Sequence, residues 1–357
     1  MRKSRIRQVA TVAAFAAAGL LAACSSSTPA NPGNSSGAVK LVYSSYGGTG
    51  QAAQEQAWQQ PYTKLHPNVT FNNVSPPDAS QVKAQVESNQ VTWNIVTTAP
   101  YLAAQNCGTL YQPLNIPNLD TKDFPPGTIG KCYVTDFRYS LVLSYNAKIW
   151  PNPKTAPTTL ADFFDPQKFP GKRGVVPSVQ DGILETALLA DGVSPQDMYP
   201  LNVNEALQTW DKIKSDTIFA PSVGALLQDV TSHQVAMEIM VQARTQAALD
   251  EGADIVPVWD KTVTSIDGLA IPKGAANLQA TEQFMSFLLQ PAQQAKMAEL
   301  AGVAPSNLLA KPVYTANGNK VNAFGKADTG TTFQVNAQWW SSHFNQISTE
   351  FTNWLNG

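Results

Sequence analysis

Residues 263–310 constrain the fold more than any other part of this 357-residue chain. Residues 268–272 form a short apolar run typical of a buried strand, and Lys273 with Gly274 supplies a turn. A second helix is predicted to begin at Pro291 and to end at Gly302. Between them, apolar residues at helical spacing predict a first helix, whose buried face carries Ala280, Phe284, Phe287 and Leu288. Nothing in this segment is typical of a catalyst.

The same segment resembles the extracellular solute-binding proteins of ABC importers, most closely their spermidine/putrescine-binding branch. The matching positions are Asp267, residues 269–272, residues 287–289, Pro291, Pro305, Asn307 and Leu308. The resemblance implies an α/β, two-lobed periplasmic-binding-protein fold of type II, in which each lobe is a mixed β-sheet flanked by helices. It also implies a ligand cleft between the lobes and delivery of a small polar solute to an ABC permease and its ATPase. No catalysis and no cofactor are implied.

The N-terminus independently predicts export. Four basic residues precede an apolar run over residues 9–23 that is too short to span a bilayer, so residues 1–23 are interpreted as a signal peptide. The run ends Leu-Ala-Ala-Cys, which resembles a bacterial lipobox, in which the chain is cut before Cys24 and that cysteine is acylated. The alternative is an ordinary cleavage site with an incidental cysteine. Residues 24–37 are rich in Ser, Pro, Asn and Gly, as in a flexible tether, so we expect an extracytoplasmic, lipid-anchored protein.

Composition excludes some partners. The 24 Lys and Arg residues are balanced by 26 Asp and Glu residues, and the absence of any basic run argues against nucleic acid as a partner. His66, His233 and His343 are far apart and do not follow metal-ligand spacing, so we expect no metal site. We expect a monomer.

Cys107 and Cys132 form the remaining cysteine pair once Cys24 is assigned to lipid. In an oxidising compartment such a pair is predicted to form a disulfide, which stabilises a domain by about 3 kcal/mol. The alternative is two separately buried thiols.

Chain crossings near Asn146 and Ser265 predict two lobes joined by a hinge, as in proteins that close around a ligand. The expected first lobe contains residues 38–145 and 265–320. The expected second lobe contains residues 146–264 and 321–357.

The first candidate ligand loop follows a predicted strand over residues 39–43 and precedes a helix. In open α/β sheets, ligands bind beyond the carboxyl ends of strands, where a helix N-terminus offers free N–H groups. The glycines of this loop lack the spacing of a dinucleotide or phosphate loop, and a tight turn is an equal interpretation of them. The candidate contacts are Ser44, Ser45, Tyr46, Gly48 and Thr49.

Two aromatic candidates depend largely on the resemblance. Tyr101 follows a strand over residues 93–98 and falls where the family places an aromatic that stacks on the ligand; packing is the alternative. The C-terminal segment has aromatics at helical spacing and resembles the closing helix of the family, from which Trp339 or Trp340 could reach the cleft.

Three charged residues are candidate ligand contacts. Asp181 precedes a predicted helix and is either a ligand contact or an N-cap; the family's two carboxylates in this loop fall on Val179 and Gly182 here. Arg244 ends a predicted strand and could bind a carboxylate or phosphonate bidentately, or lie on the surface. Asp267 matches a family carboxylate that faces an ammonium, with a turn-starting Asp as the alternative.

These charges favour an amine-containing ligand, which is either a polyamine or a zwitterion such as an amino acid or aminophosphonate. The alternatives are binding of a small carboxylate and an exported hydrolase or transferase. The sequence contains neither a Gly-x-Ser-x-Gly elbow nor a His-Glu-x-x-His motif, which argues against the enzyme.

Overall fold

A computed structural model describes residues 37–325 and 331–357. The predicted signal peptide, the lipidation site Cys24 and the tether up to residue 36 lie outside the described residues. Residues 38–357 form one compact unit. Among the described residues, no helix is both long and apolar enough to cross a membrane.

Within the described residues, eleven strands form a mixed sheet. Its main order is β2-β1-β3-β9-β4-β7-β5-β6, while β8 and β10 pair with β4 and β11 pairs with β9. The strands are β1 Val39–Ser44, β2 Val69–Val74, β3 Ile95–Thr98, β4 Val134–Asn146, β5 Arg173–Val175, β6 Thr217–Phe219, β7 Met237–Val241, β8 Ile255–Val258, β9 Lys261–Ala270, β10 Ala304–Pro305 and β11 Thr331–Gln334.

Strand β4 changes partners along its length. Residues 134–140 pair with the antiparallel strand β9, whereas residues 141–146 pair with β7 and β8. The outer strands β1, β2 and β3 are parallel, as are β5, β6 and β7. The sheet therefore has two parts with parallel strands, which we call wings. Strands β1, β2 and β3 form one wing, strands β5, β6 and β7 form the other, and the two meet at β4 and β9.

In residues 37–325 and 331–357, thirteen α-helices flank the strands. They are α1 Gly48–Gln54, α2 Gln60–Leu65, α3 Ala79–Glu87, α4 Pro100–Gln105, α5 Leu160–Phe163, α6 Ile183–Ala190, α7 Val203–Asp211, α8 Val223–Thr231, α9 Gln242–Asp250, α10 Leu278–Leu288, α11 Pro291–Ala301, α12 Ala316–Val321 and α13 Ala337–Asn356. A π-helical turn, Glu55–Gln59, joins α1 to α2.

The helices predicted from residues 263–310 are confirmed as α10 and α11. Pro291 occupies the first turn of α11, and Gly302 ends that helix in the left-handed region at φ 65°, where glycine has no Cβ clash. Strand β9 begins at Lys261 and not at the predicted Gly268, so it is longer than predicted.

The core consists of separate apolar clusters on the two wings. Phe284 and Trp58 are fully buried beside β1, whereas Phe163, Leu184 and Trp210 are buried in a cluster beside β5 and β7. Burial of each large apolar side chain contributes about 1.5–3 kcal/mol. Each wing therefore has apolar packing of its own.

Cys107 and Cys132 are joined by a disulfide. Cys132 is fully buried, and the bridge connects the segment after α4 to the residues that enter β4. It therefore restrains the chain just before the strand that links the two wings.

Candidate functional site

A cavity of about 840 Å³ lies where the loops and helices of the two wings face each other. Its lining comes from the loop after β1, the start of α4, the middle of β4 and β9, the length of α9 as far as Asp250 and Glu251, and the end of α11. Several of these segments follow the carboxyl ends of strands, which is where open α/β sheets bind ligands.

One wall of the cavity is acidic. Asp267 is 8% exposed within β9, and its Oδ1 accepts the N–H of Gly268 at 3.1 Å. Asp181 accepts a 2.5 Å hydrogen bond from the hydroxyl of Tyr139. Neither carboxylate forms a salt bridge within the part of the chain that the structure describes. Both carboxylates are therefore free to pair with a cation from solution.

A third carboxyl group lies behind this wall. Burial raises the pKa of Asp136 to about 7. Burial together with the charges of Asp136 and Asp181 raises the pKa of Asp267 well above its ordinary value. Neighbouring carboxylates in a desolvated site oppose the ionisation of one another. A bound cation would offset that repulsion, so we expect this wall to favour a cationic group of a ligand.

Tyr46 lies over the acidic wall. Its side chain is 62% exposed, and the charge of Asp267 is the largest cause of the rise in its pKa. The phenol therefore stays neutral, and its ring is available to cover an ammonium group by a cation–π contact.

The positive group of the cavity is Arg244. It occupies the third position of α9, a nine-residue helix that directly follows β7 and has no side-chain cap. Within residues 37–325 and 331–357, no acidic side chain forms a salt bridge with its guanidinium. A guanidinium near a helix N-terminus favours an anion, because the helix dipole and the free N–H groups add to the charge.

Aromatic residues close the cavity from the α4 side. Tyr101 is 5% exposed, its ring packs 4.3 Å from Phe344 of α13, and its hydroxyl donates to Gln180 Oε1 at 3.2 Å. Trp340 of α13 also lines the cavity, and its indole N–H donates to the buried carboxylate of Glu185 at 2.8 Å. The aromatic side chains are thus held in place by hydrogen bonds.

Most of the predicted contact residues line this one cavity. The seven that do are Ser45, Tyr46, Thr49, Tyr101, Asp181, Arg244 and Asp267. The other three do not. Ser44 is fully buried and its hydroxyl lies 3.4 Å from the Pro76 carbonyl; Gly48 is the first residue of α1; Trp339 stacks on His343 at 4.0 Å.

The structural alternatives for the two aspartates are wrong. Gly182, not Asp181, is the N-cap of α6, and Asp267 lies inside β9 rather than in a turn. Gly182 has φ 96°, and a Cβ there would be 2.5 Å from Val263. A carboxylate side chain therefore cannot occupy this position without a backbone change.

Sequence reasoning missed several lining residues. They include Gln54, Phe137, Tyr139 and Ser265. Of the two tryptophans predicted to reach the cleft, Trp340 lines the cavity and Trp339 does not. Phe137 and Tyr139 follow a register shift between β4 and β9, and such a bulge has no signal in a single sequence. Among the described residues, no group of three or more His, Cys, Asp or Glu side chains could hold a metal ion.

Comparison with known proteins gives consistent matches. Residues 57–324 match the family described as bacterial extracellular solute-binding protein. The gamma-aminobutyric acid-binding protein of Pseudomonas aeruginosa PAO1 is 27% identical over 321 residues, which are 88% of this chain and 90% of that protein.

Solved structures of solute-binding proteins also match this chain. A GABA receptor is 30% identical over 88% of this chain and 97% of its own, with a TM-score of 0.80. An ABC transporter substrate-binding protein from Bradyrhizobium japonicum USDA 110 is 28% identical over 88% and 99% of the two chains, with a TM-score of 0.79. The predicted two-lobed α/β fold of type II is confirmed by these matches.

Proposed function

The chain belongs to the bacterial extracellular solute-binding protein family, and on this premise we propose that it captures a small zwitterion that carries an ammonium and a carboxylate group. An ω-amino acid such as 4-aminobutyrate (GABA) has this chemistry. The relatives named for GABA support the proposal. The protein acts as a binder, not as an enzyme.

One observation carries the proposal. Asp267 and Arg244 line the same cavity with opposite charges, and neither has an ionic partner among the described residues. Burying an unpaired charge is costly, so a ligand that supplies both counter-charges would stabilise the closed cavity. Asp267 binds the ammonium group, and Arg244 binds the carboxylate.

A polyamine fits this cavity less well. The two family positions for further carboxylates are occupied by Val179 and Gly182, and Gly182 has no room for a side chain. Arg244 would repel a second ammonium group of the ligand. A zwitterion avoids both difficulties.

The location and the partners follow from the same proposal. The signal peptide and the acylated Cys24 would hold the protein outside the cell membrane, with residues 24–37 as the tether. The relative described as an ABC transporter substrate-binding protein supports delivery of the solute to an ABC permease and its ATPase. The lobe boundaries at residues 145/146 and 264/265 belong to this proposal, with closure about those crossings.

A thermal-shift screen tests the proposal. It compares 4-aminobutyrate, putrescine, spermidine, 2-aminoethylphosphonate and butyrate. A ligand at one hundred times its dissociation constant adds about 2.7 kcal/mol to the free energy of unfolding. We expect the zwitterions to raise the melting temperature more than the polyamines, and butyrate to leave it unchanged.

The Asp267→Asn variant is the matched control for the cationic half of the ligand. It keeps the shape of the side chain and removes its charge, so the affinity for 4-aminobutyrate should fall by about 2 kcal/mol. If this variant bound 4-aminobutyrate as tightly as wild type, Asp267 would not be a contact of the ligand. No shift with any amine would overturn the proposed function.

A further inference from the structure

Gln54 has an unusual place in the cavity wall. It is the last residue of α1, is 2% exposed and lines the cavity. The helix becomes π-helical immediately afterwards, over Glu55–Gln59. Single π-helical turns within α-helices occur frequently at functional sites.

The amide of Gln54 is oriented by Asp136. Its Nε2 donates to Asp136 Oδ2 at 3.4 Å, and Asp136 Oδ1 accepts the N–H of Phe137 at 2.9 Å. Above its raised pKa of about 7, Asp136 is ionised and can only accept hydrogen bonds, so it then selects the orientation in which the amide nitrogen of Gln54 faces Asp136. The amide oxygen of Gln54 then faces away from Asp136.

That oxygen, Gln54 Oε1, is buried and has no hydrogen-bond partner among the described residues. A buried acceptor without a donor is costly. Asp267, on the adjacent strand β9, lines the same cavity, and none of the described residues donates a hydrogen bond to its Oδ2. Two acceptors of residues that line the same cavity thus lack donors in the part of the chain that the structure describes.

We propose that Gln54 is a specificity-determining residue whose amide oxygen accepts a second hydrogen bond from the ligand's primary ammonium group, beside Asp267, and that Asp136 is its positioning residue. This inference rests on the proposed function of the cavity. A primary ammonium has three N–H donors and can satisfy both acceptors. A trimethylammonium group has none, and it would leave Gln54 Oε1 unpaired.

This arrangement discriminates by the number of donors rather than by charge. Sites that hydrogen-bond a ligand group reject analogues that lack it, because their buried polar groups remain unpaired. We therefore expect the protein to distinguish 4-aminobutyrate from its N,N,N-trimethyl derivative, although both are zwitterions with the same chain.

Isothermal titration calorimetry with these two compounds tests the inference. Wild type should bind 4-aminobutyrate at least about tenfold more tightly than the trimethyl derivative. Gln54→Leu should weaken the binding of 4-aminobutyrate by about tenfold and leave the binding of the trimethyl compound nearly unchanged. The selectivity between them should therefore fall.

Gln59→Leu is the matched control. Gln59 is also a buried glutamine, 4% exposed and one helical turn further on, but its amide pairs with Asn73 and it does not line the cavity. This variant should lower the melting temperature of the free protein and keep both affinities. Melting of the free Gln54→Leu protein shows that the variant is folded.

Asp136→Asn tests the positioning role. The groups that face Asp136 are Gln54 of α1, Tyr43 of β1, Tyr46 of the loop after β1, and Asp267 of β9. An asparagine both donates and accepts, so it no longer selects one orientation of the Gln54 amide, and it removes a charge beside Asp267. We expect weaker binding of 4-aminobutyrate at pH 8 and a shift to lower pH of the midpoint at which affinity is lost.

The outcomes separate the two proposals. If neither 4-aminobutyrate nor putrescine binds to wild type, the proposed function and this inference both fail. If either amine binds and Gln54→Leu retains the wild-type affinity for it, only the role of Gln54 is overturned. Unchanged selectivity between 4-aminobutyrate and its trimethyl derivative in Asp136→Asn at pH 8 would overturn the positioning role of Asp136.

Discussion

At the scale of single residues, Asp267 and Arg244 bring opposite charges to one cavity. Their different roles can be separated with two ligands that share a four-carbon chain. 4-Aminobutyrate has an ammonium and a carboxylate group, whereas putrescine has two ammonium groups. Removal of the positive charge of Arg244 should therefore weaken the binding of 4-aminobutyrate but not that of putrescine.

We predict that Arg244→Met weakens binding of 4-aminobutyrate by about 2 kcal/mol, because a charge-assisted hydrogen bond to the carboxylate is lost. Putrescine should bind the variant at least as well as wild type, since a repulsive charge is removed. Lys40→Met, at an exposed residue outside the cavity lining, should change neither affinity. Equal losses for both ligands in calorimetric titrations would contradict the assignment of Arg244 to the carboxylate.

A second residue-scale prediction concerns pH. The pKa of Asp267 in the free protein is raised by burial and by neighbouring carboxyl groups, and that of Asp136 is raised to about 7. An ammonium ligand favours the ionised carboxylates and lowers their pKa values, so binding releases protons. Affinity should rise as the pH increases from 5 to 8.

Titration calorimetry at pH 7 in buffers of different ionisation enthalpy measures this proton release. The observed heat should vary with the buffer, with the sign that corresponds to release. A heat that is independent of the buffer, or proton uptake on binding, would contradict the linkage between ligand and carboxyl groups.

Residue types and family matches predicted Asp181, Arg244 and Asp267 as candidates, and all three line the cavity. They could be found because a charged residue beside a strand end is conspicuous in a sequence. Gln54 could not be found in this way. Its importance depends on Asp136, which is distant in sequence, and on a π-helical turn that has no known pattern in one sequence.

At the scale of secondary-structure elements, β4 and β9 bring the acidic groups together. The register between them shifts between Thr135 and Phe137, opposite Gly268 and Asp267. β-Bulges redirect side chains and occur next to active sites. Here the shift places Asp136 behind the cavity wall that Asp267 lines.

Periodicity predicted helices better than the cavity strands. α10, α11 and α13 each show apolar residues at helical spacing, and the structure contains all three. Residues 261–267 of β9 were missed because the buried residues there include Thr262, Thr264 and Ser265. A strand that buries polar side chains lacks the alternation that identifies a strand.

The disulfide gives a prediction at this scale. Replacing both Cys107 and Cys132 by Ser should lower the free energy of unfolding by about 3 kcal/mol, because the unfolded chain gains freedom when its loop is opened. Neither cysteine lines the cavity, so the affinity for 4-aminobutyrate at 25 °C should stay within threefold of wild type. Denaturant unfolding and titration calorimetry measure the two quantities.

Reduction of the wild-type protein with dithiothreitol is the control for this variant and should give the same loss of stability. A double variant as stable as oxidised wild type would show that the bridge contributes nothing. A large loss of affinity without unfolding would show that the bridge also shapes the cavity.

At the scale of the whole molecule, two sheet wings with separate apolar clusters meet at β4 and β9. The cavity lies between them and takes residues from both. The proposed function requires this architecture to close around the ligand by hinge motion. Its overall form was predictable from the family resemblance of residues 263–310, whereas the exchange of partners within β4 was not.

The ligand class is the central claim, and equilibrium binding to the purified protein tests it most directly. Titration calorimetry with 4-aminobutyrate should show saturable binding of one ligand per protein. Putrescine should bind more weakly, and butyrate, which has no ammonium group, should not bind. Butyrate binding as tightly as 4-aminobutyrate, or no saturable heat with any amine, would contradict the account.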